Sequence, residues 1–117
     1  MPIRAQPSEL ASLTEDQIGA ALTNVRQQIR AAAGEELARL QALRDDLNGR
    51  LDDFVGLDLQ QIDADPQITA SIDQLAQLTL DVQKVVREMQ DVTRTIVAAT
   101  RVLGLVDELL GVVVKVK

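Results

Sequence analysis

The sequence contains no cysteine, no histidine, no tyrosine and no tryptophan. Without cysteine the chain has no disulfide framework and no thiol ligand or nucleophile. Without histidine it lacks the commonest general base and metal ligand. The missing tyrosine and tryptophan remove stacking platforms for single-stranded nucleic acid, and a net charge of −6 opposes binding to phosphate backbones. These absences argue against a conventional enzyme and against a nucleic-acid-binding protein.

The sequence also lacks a motif for catalysis, metal binding or cofactor binding. Oxygen-bearing residues alternate from Asp63 to Ser71 as in a calcium loop, but Ile68 takes the place of the required glycine and Gln74 that of the final glutamate. Adjacent aspartates on a helix point about 100° apart and do not converge on one substrate. We therefore expect no catalytic, metal-binding or cofactor-binding residues, no cofactor, and a protein that is not an enzyme.

What the sequence does contain is aliphatic: 46% of the residues are hydrophobic and 26% are charged, yet only Phe54 is aromatic. A core of leucine, isoleucine, valine and alanine suits the packing of helix against helix. The sequence therefore predicts an all-α fold. Residues 1–13, which include Pro2 and Pro7, are predicted to form an irregular N-terminal arm, and residues 14–117 a single helical-hairpin domain.

Helix one is predicted over residues 14–54. Thr14 is the expected N-cap, with Gln17 as its capping-box partner three residues later. No proline interrupts the chain from there to residue 54, and apolar residues recur every 11 positions at Ile18, Ile29, Leu40 and Leu51. Such a repeat indicates one long, nearly straight apolar stripe.

A break over residues 55–65 precedes helix two, which is predicted over residues 66–114. Gly56 is a plausible C-cap, Asp65 and Pro66 form an N-cap and first-turn pair, and Phe54 is expected to fill the hairpin tip. Helix two has apolar residues at thirteen of fourteen a and d heptad positions between Ile68 and Val113, a pattern typical of a coiled coil. The prediction is therefore a long antiparallel, coiled-coil-like hairpin.

Helix two is longer than helix one, roughly 70 Å against 60 Å at 1.5 Å per residue. Residues 106–117 would then project beyond the start of helix one, where the helix is apolar nearly all round, as in buried helices. The N-terminal arm, another subunit or partner helix, or a lipid surface could cover this overhang. The predicted interface residues are Leu103, Val106, Leu109, Leu110 and Val113.

Charge is distributed unevenly along the chain. Residues 51–83 contain seven aspartates and no basic residue, whereas residues 84–117 contain six basic and four acidic residues. The hairpin tip should be acidic and the open end mildly basic. The acidic tip is interpreted as a solvated surface, or else as a surface that orients a stacked assembly or docks a basic partner.

These patterns favour a non-enzymatic structural or interaction protein, a helical hairpin that self-assembles or packs with partner helices and so completes a helical bundle by oligomerisation. The alternative is an amphipathic helical protein that binds a lipid or membrane surface. The N-terminus has no apolar run typical of a signal peptide, so a cytoplasmic location is expected, with leaderless export as the other possibility.

The Phe54-Val55-Gly56 segment near the middle of a hairpin of about this size resembles the WXG100 family, which are small secreted helical-hairpin proteins with Trp-x-Gly in the turn. Phe54 stands where that family has tryptophan, and the family's C-terminal tyrosine-containing export motif has no counterpart here. The resemblance implies a two-helix hairpin that is secreted and travels as a dimer.

Overall fold

In the computed structural model, which describes residues 6–114, all of the regular secondary structure is α-helical. The all-α prediction is therefore confirmed. Two short helices lie within the connection between the second and third of four longer ones. In chain order the six helices are α1 (Pro7–Ile29), α2 (Gly34–Val55), α3 (Leu59–Ala64), α4 (Pro66–Ala70), α5 (Ile72–Val86) and α6 (Val92–Val113).

The four long helices form a bundle of two stacked hairpins. The first hairpin is α1 with α2, joined by residues 30–33, and the second is α5 with α6, joined by residues 87–91. Helix α1 packs beside α5 and α2 beside α6, while α2 and α5 lie on a diagonal. Thr14 contacts Thr79 through a hydrogen bond of 3.2 Å, and further along α1 the Asn24 amide donates to the Val86 carbonyl at 3.5 Å. Because residue numbers rise together on both helices, α1 and α5 run parallel.

The lower end of the bundle is defined here as the end at which α1 and α5 begin, and the upper end as the end that carries the two hairpin turns. Residues 56–71 cross the lower end and contain α3 and α4. The backbone N–H and the hydroxyl of Ser8 donate to the Asp63 carboxylate at 2.9 and 2.6 Å, which fastens α3 to the start of α1.

The core between the helices is built almost wholly from aliphatic side chains. Because each helix directs an apolar stripe inward, the bundle buries apolar surface that a two-helix hairpin would leave in water. Each Å² of apolar surface removed from water stabilises the fold by about 25 cal/mol. The largest fully buried side chains are Ile18, Leu40, Leu47, Leu75, Leu109, Val25, Val82, Val102, Val106, Thr14 and Thr95.

The start of helix one was predicted wrongly. Helix α1 begins at Pro7, and Thr14 is a buried residue inside it whose hydroxyl donates to the Leu10 carbonyl at 2.9 Å. A proline in the first turn costs no helical hydrogen bond because its nitrogen would have no acceptor there. Residues 7–13 thus belong to α1 and Gln6 is its N-cap, whereas residues 1–5 of the predicted arm lie outside the described residues.

Helix one is also not continuous to residue 54. It ends at Ile29 and the chain reverses over residues 30–33, after which α2 starts at Gly34 with φ +61°. This left-handed conformation is accessible to glycine at little steric cost, so no proline is needed for the turn. The reversal folds the single predicted stripe in two and brings Ile18 and Leu40 into one core.

Helix two is interrupted as well, at Ser71 between α4 and α5 and, with a reversal of the chain, at residues 87–91. Asp91 caps the new helix α6 by accepting a hydrogen bond from the Arg94 backbone N–H at 2.8 Å. The apolar heptad pattern continues through the turn, where Met89 is buried, so periodicity alone does not reveal the break. Because both predicted helices fold back on themselves, the described residues contain neither the long two-helix hairpin nor the overhang.

Candidate interaction surfaces

The five predicted interface residues lie on α6 and face the inside of the bundle. Val106, Leu109 and Val113 are buried, and Leu103 and Leu110 are half-buried against the same core. Their side chains are covered by the chain's own helices, because α6 packs on α1, α2 and α5. A second protein could reach the three buried residues only if α6 moved out of the bundle.

The four residues predicted at the hairpin tip occupy the lower end, where the crossover begins. Phe54 is buried at the end of α2, and Gly56 is the C-cap of that helix. The Asp65 carboxylate accepts hydrogen bonds from the backbone N–H groups of Gln67 and Ile68 at 2.8 and 3.3 Å, and Pro66 is the first residue of α4. These residues shape the crossover, and Gly56 and Asp65 also line a groove of about 290 Å³ that reaches Val113 and Val114 at the end of α6.

The two halves of the bundle differ sharply in charge. The upper half, taken as residues 18–44 and 82–102, has eight basic and four acidic side chains. The lower half, residues 6–17, 45–81 and 103–114, has fourteen acidic side chains and one basic one, Arg50. The described residues thus carry +4 above and −13 below; the remaining basic residues, Arg4, Lys115 and Lys117, lie outside them.

Arg50 is the basic residue of this acidic half. Its guanidinium donates to the Asp107 carboxylate across the parallel helices α2 and α6. That hydrogen bond is the main reason why the pKa of Arg50 is raised, and the charges of Asp107, Asp53 and Asp46 add to it. Both partners are substantially exposed, so solvent screening limits what the pair contributes to stability.

A groove of about 240 Å³ runs between the parallel helices α1 and α5, and none of its lining residues is charged. Leu13 on α1 is 49% exposed and Leu80 on α5 is 57% exposed, although both are large aliphatic side chains. Beneath them lies the buried Thr14–Thr79 hydrogen bond. The lining residues are Leu10, Leu13, Gln17, Ala76, Thr79, Leu80 and Gln83.

This groove was not predicted, because Leu13 was placed in the irregular arm of residues 1–13 and not in helix one. The signal that could have found it is local. Leu80 falls outside the a and d positions of the heptad pattern, on a face that is otherwise polar. A leucine at such a position in each of two helices indicates a surface that is apolar for some reason other than the core.

The outer side of the second hairpin has three further grooves, and all of them are charged. One of about 250 Å³ borders the other side of Leu80 with Asp81, Lys84 and Arg87. A groove of about 740 Å³ between α5 and α6 has charges of both signs, and Arg101 pairs with Glu88 across it at 3.4 Å. A smaller one of about 380 Å³ surrounds Val97 with Arg87, Arg94 and Arg101. Arg94 is already within 3.6 Å of the Asp91 carboxylate, so these charges are partly neutralised within the chain.

Within residues 6–114, the structure groups no three histidine, cysteine, aspartate or glutamate side chains in a way that could hold a metal ion. In the same part of the chain no helix is both long and apolar enough to cross a membrane. Comparison with known proteins found no family that matches the sequence, and neither a curated protein nor a solved structure with significant similarity to it.

Proposed function

We propose that the chain is a non-enzymatic structural protein that acts by self-association, as a folded four-helix subunit that joins a second copy through the groove between α1 and α5. The observation that carries this proposal is the exposure of Leu13 and Leu80 in a groove without charged lining residues. Exposed leucines that share an uncharged groove are typical of surfaces that become buried against another protein.

The groove is suited to a two-fold contact, in which the same surface of both subunits must fit itself. A surface without charges meets that requirement, whereas the lower end would bring acidic residues against acidic residues. Complete burial of a leucine side chain is worth about 1.5–3 kcal/mol relative to full exposure. Four half-exposed leucines in a dimer would offset part of the free-energy cost of association.

The sequence predicts packing with partner helices. In this proposal the partner is a second folded four-helix bundle and not a single helix. In this proposal the chain completes its own four-helix core, so self-association joins finished bundles. The lipid-binding alternative receives less support, because Val55, Leu59 and Val114 are exposed at the acidic lower end, which repels anionic headgroups. The arginines around Val97 are partly neutralised by Asp91 and Glu88. We do not propose a WXG100-like function, because the two-helix hairpin which it implies is not found in the described residues.

The test is the mass of the purified chain in solution, measured by light scattering behind a sizing column. Leu80→Glu should convert an oligomer into a species of 12.7 kDa, the mass of one chain, because a carboxylate would be buried in the contact. Val55→Glu is the matched control, since Val55 is 64% exposed at the end of α2 and lies outside the groove. A monomeric native chain, or equal loss of assembly in both variants, would contradict the proposal.

A further inference from the structure

Resting on this proposed function, we infer that the two copies pair antiparallel, with α1 against α1 and α5 against α5 of the second copy. The two-fold axis would pass at the level of Leu13 and Leu80, perpendicular to the helices. These two leucines lie at nearly the same height, because Thr14 and Thr79, their immediate neighbours in sequence, are hydrogen-bonded to each other. Each leucine would therefore meet its own counterpart.

Two arrangements of a two-fold dimer bring the groove of one copy against the groove of the other while the helices of both copies stay parallel or antiparallel. With the axis perpendicular to the helices, each helix meets its own copy running in the opposite direction. With the axis along the helices, α1 meets α5 of the second copy, running in the same direction. Charged residues beside the groove distinguish the two arrangements.

The charges on α5 fit the antiparallel arrangement. Asp73 lies seven residues before Leu80, and Arg87, the C-cap of α5 with helical backbone angles, lies seven residues after it; both side chains are exposed. Seven residues are close to two helical turns, so all three share one face at a spacing of about 10 Å. A two-fold axis at Leu80 therefore places Asp73 of each copy opposite Arg87 of the other. Among the described residues neither side chain has an ion-pair partner within its own chain.

The parallel arrangement would instead set like charges together. Asp73 would lie at the level of the first turns of α1 in the second copy, where Glu9 is exposed. Each two-fold dimer would contain this repulsion twice, and it would also place both strongly acidic lower halves side by side. The antiparallel arrangement directs the two acidic lower ends away from each other. Since Leu13 and Leu80 belong to the acidic half, the axis still brings Glu9 of each copy near Asp16 of the other, and the two Asp73–Arg87 contacts offset this repulsion.

Charge exchange on α5 tests the pairing directly. Asp73→Arg and Arg87→Asp should each weaken dimerisation about tenfold or more, because each puts like charges opposite each other twice. The double variant Asp73→Arg/Arg87→Asp should restore the dimerisation constant to within about threefold of the native value. The two positions are about 21 Å apart along one helix, so contact within a chain cannot produce this rescue. Sedimentation equilibrium at low salt is the measurement.

Two controls keep the charge exchange interpretable. Asp46→Arg makes the same charge change as Asp73→Arg on the exposed surface of α2, outside the groove, and should leave dimerisation within about threefold of native. The double variant also reverses favourable charges near both ends of α5, so circular dichroism must show that each variant is folded at the temperature used. Absence of rescue in a folded double variant would overturn the antiparallel pairing.

Spin-label distances give a second readout that leaves the α5 charges unchanged. Because the chain has no cysteine, single labels can be placed at Ser12→Cys or Gln27→Cys, both on exposed positions of α1. Antiparallel pairing predicts about 20 Å or less between the Ser12 labels and about 40 Å between the Gln27 labels. Similar short distances at both sites would overturn the antiparallel pairing but retain the dimer, whereas a monomer would refute the proposed function itself.

Discussion

The two ends of the bundle reverse the chain in different ways. The upper end uses two direct turns, residues 30–33 and 87–91, and the lower end a sixteen-residue crossover with two short helices. Polar side chains fasten the lower end: Ser8 binds Asp63, and Asp65 caps α4. Both kinds of connection give close packing, but they leave different traces in the sequence.

The lower connection was visible in the sequence because it depends on side chains with specific roles. Asp65 is a helix cap, and Pro66 after it cannot donate a backbone hydrogen bond. For this reason the predicted break between the two helices ends at this pair. The first upper turn depends instead on one backbone angle, at Gly34. Gly19 and Gly49 are equally isolated in sequence but lie inside helices, so the sequence alone did not mark Gly34 as different.

The largest expected effect removes the apolar anchor of the lower end. Phe54→Ala should lower the free energy of unfolding by about 3–5 kcal/mol, because Phe54 is almost fully buried where α2 meets the crossover. Urea denaturation followed by circular dichroism measures the change. Phe54→Leu, which keeps most of the volume, should cost less than half as much. Equal decreases in the free energy of unfolding in both variants would mean that the shape of the aromatic ring, and not the buried volume, stabilises the lower end.

The next effect concerns the upper end. Gly34→Ala should destabilise the fold by about 1–2 kcal/mol, because a Cβ strains the backbone at φ +61°. Gly49→Ala is the comparison: an added Cβ meets nothing within 4 Å and the site is inside α2, so stability should rise by about 0.5–1 kcal/mol. Thermal unfolding of both variants checks the opposite signs. If Gly34→Ala were also stabilising, the upper turn would not depend on glycine.

A smaller effect compares buried hydroxyl groups in the two halves. Thr79, in the lower half, donates to the Leu75 carbonyl at 2.8 Å, whereas the Thr95 hydroxyl in the upper half is buried with no hydrogen-bond partner among the described residues. Thr95→Val should therefore stabilise the fold by about 1 kcal/mol, and Thr79→Val should destabilise it by a similar amount. Denaturant midpoints show the signs; a loss of stability at Thr95 would point to a partner for its hydroxyl.

The smallest effect concerns the basic residue of the acidic half. Arg50→Gln should cost less than about 1 kcal/mol at low salt, since its bond to Asp107 is exposed. The loss should shrink further between 0.1 and 1 M salt, where the screening length falls from about 10 to 3 Å. Arg44→Gln, in the upper half, should change stability less than Arg50→Gln does. A loss at Arg50 that is unaffected by salt would argue against an electrostatic role.

The all-α class followed from composition, because a chain with one aromatic residue and many aliphatic ones packs best as helices. The four-helix arrangement did not follow, because the apolar patterns run through both upper turns. Met89, an a position in the pattern, is buried within the turn itself. For the same reason the sequence did not show that the predicted interface residues on the apolar end of α6 pack against the chain's own α1 and α2. The groove that contains Leu13 and Leu80 could not be predicted, because the sequence does not show that α1 lies beside α5.

The crossover also has a consequence for the order of folding events. Each hairpin is made of contacts between residues close in sequence, whereas the Thr14–Thr79 contact spans 65 residues. Local contacts close small loops and form quickly, while distant ones must first overcome the entropy of a longer loop. We therefore expect the two hairpins to form early and to join late. Substitutions between α1 and α5 should then act mainly on the unfolding rate.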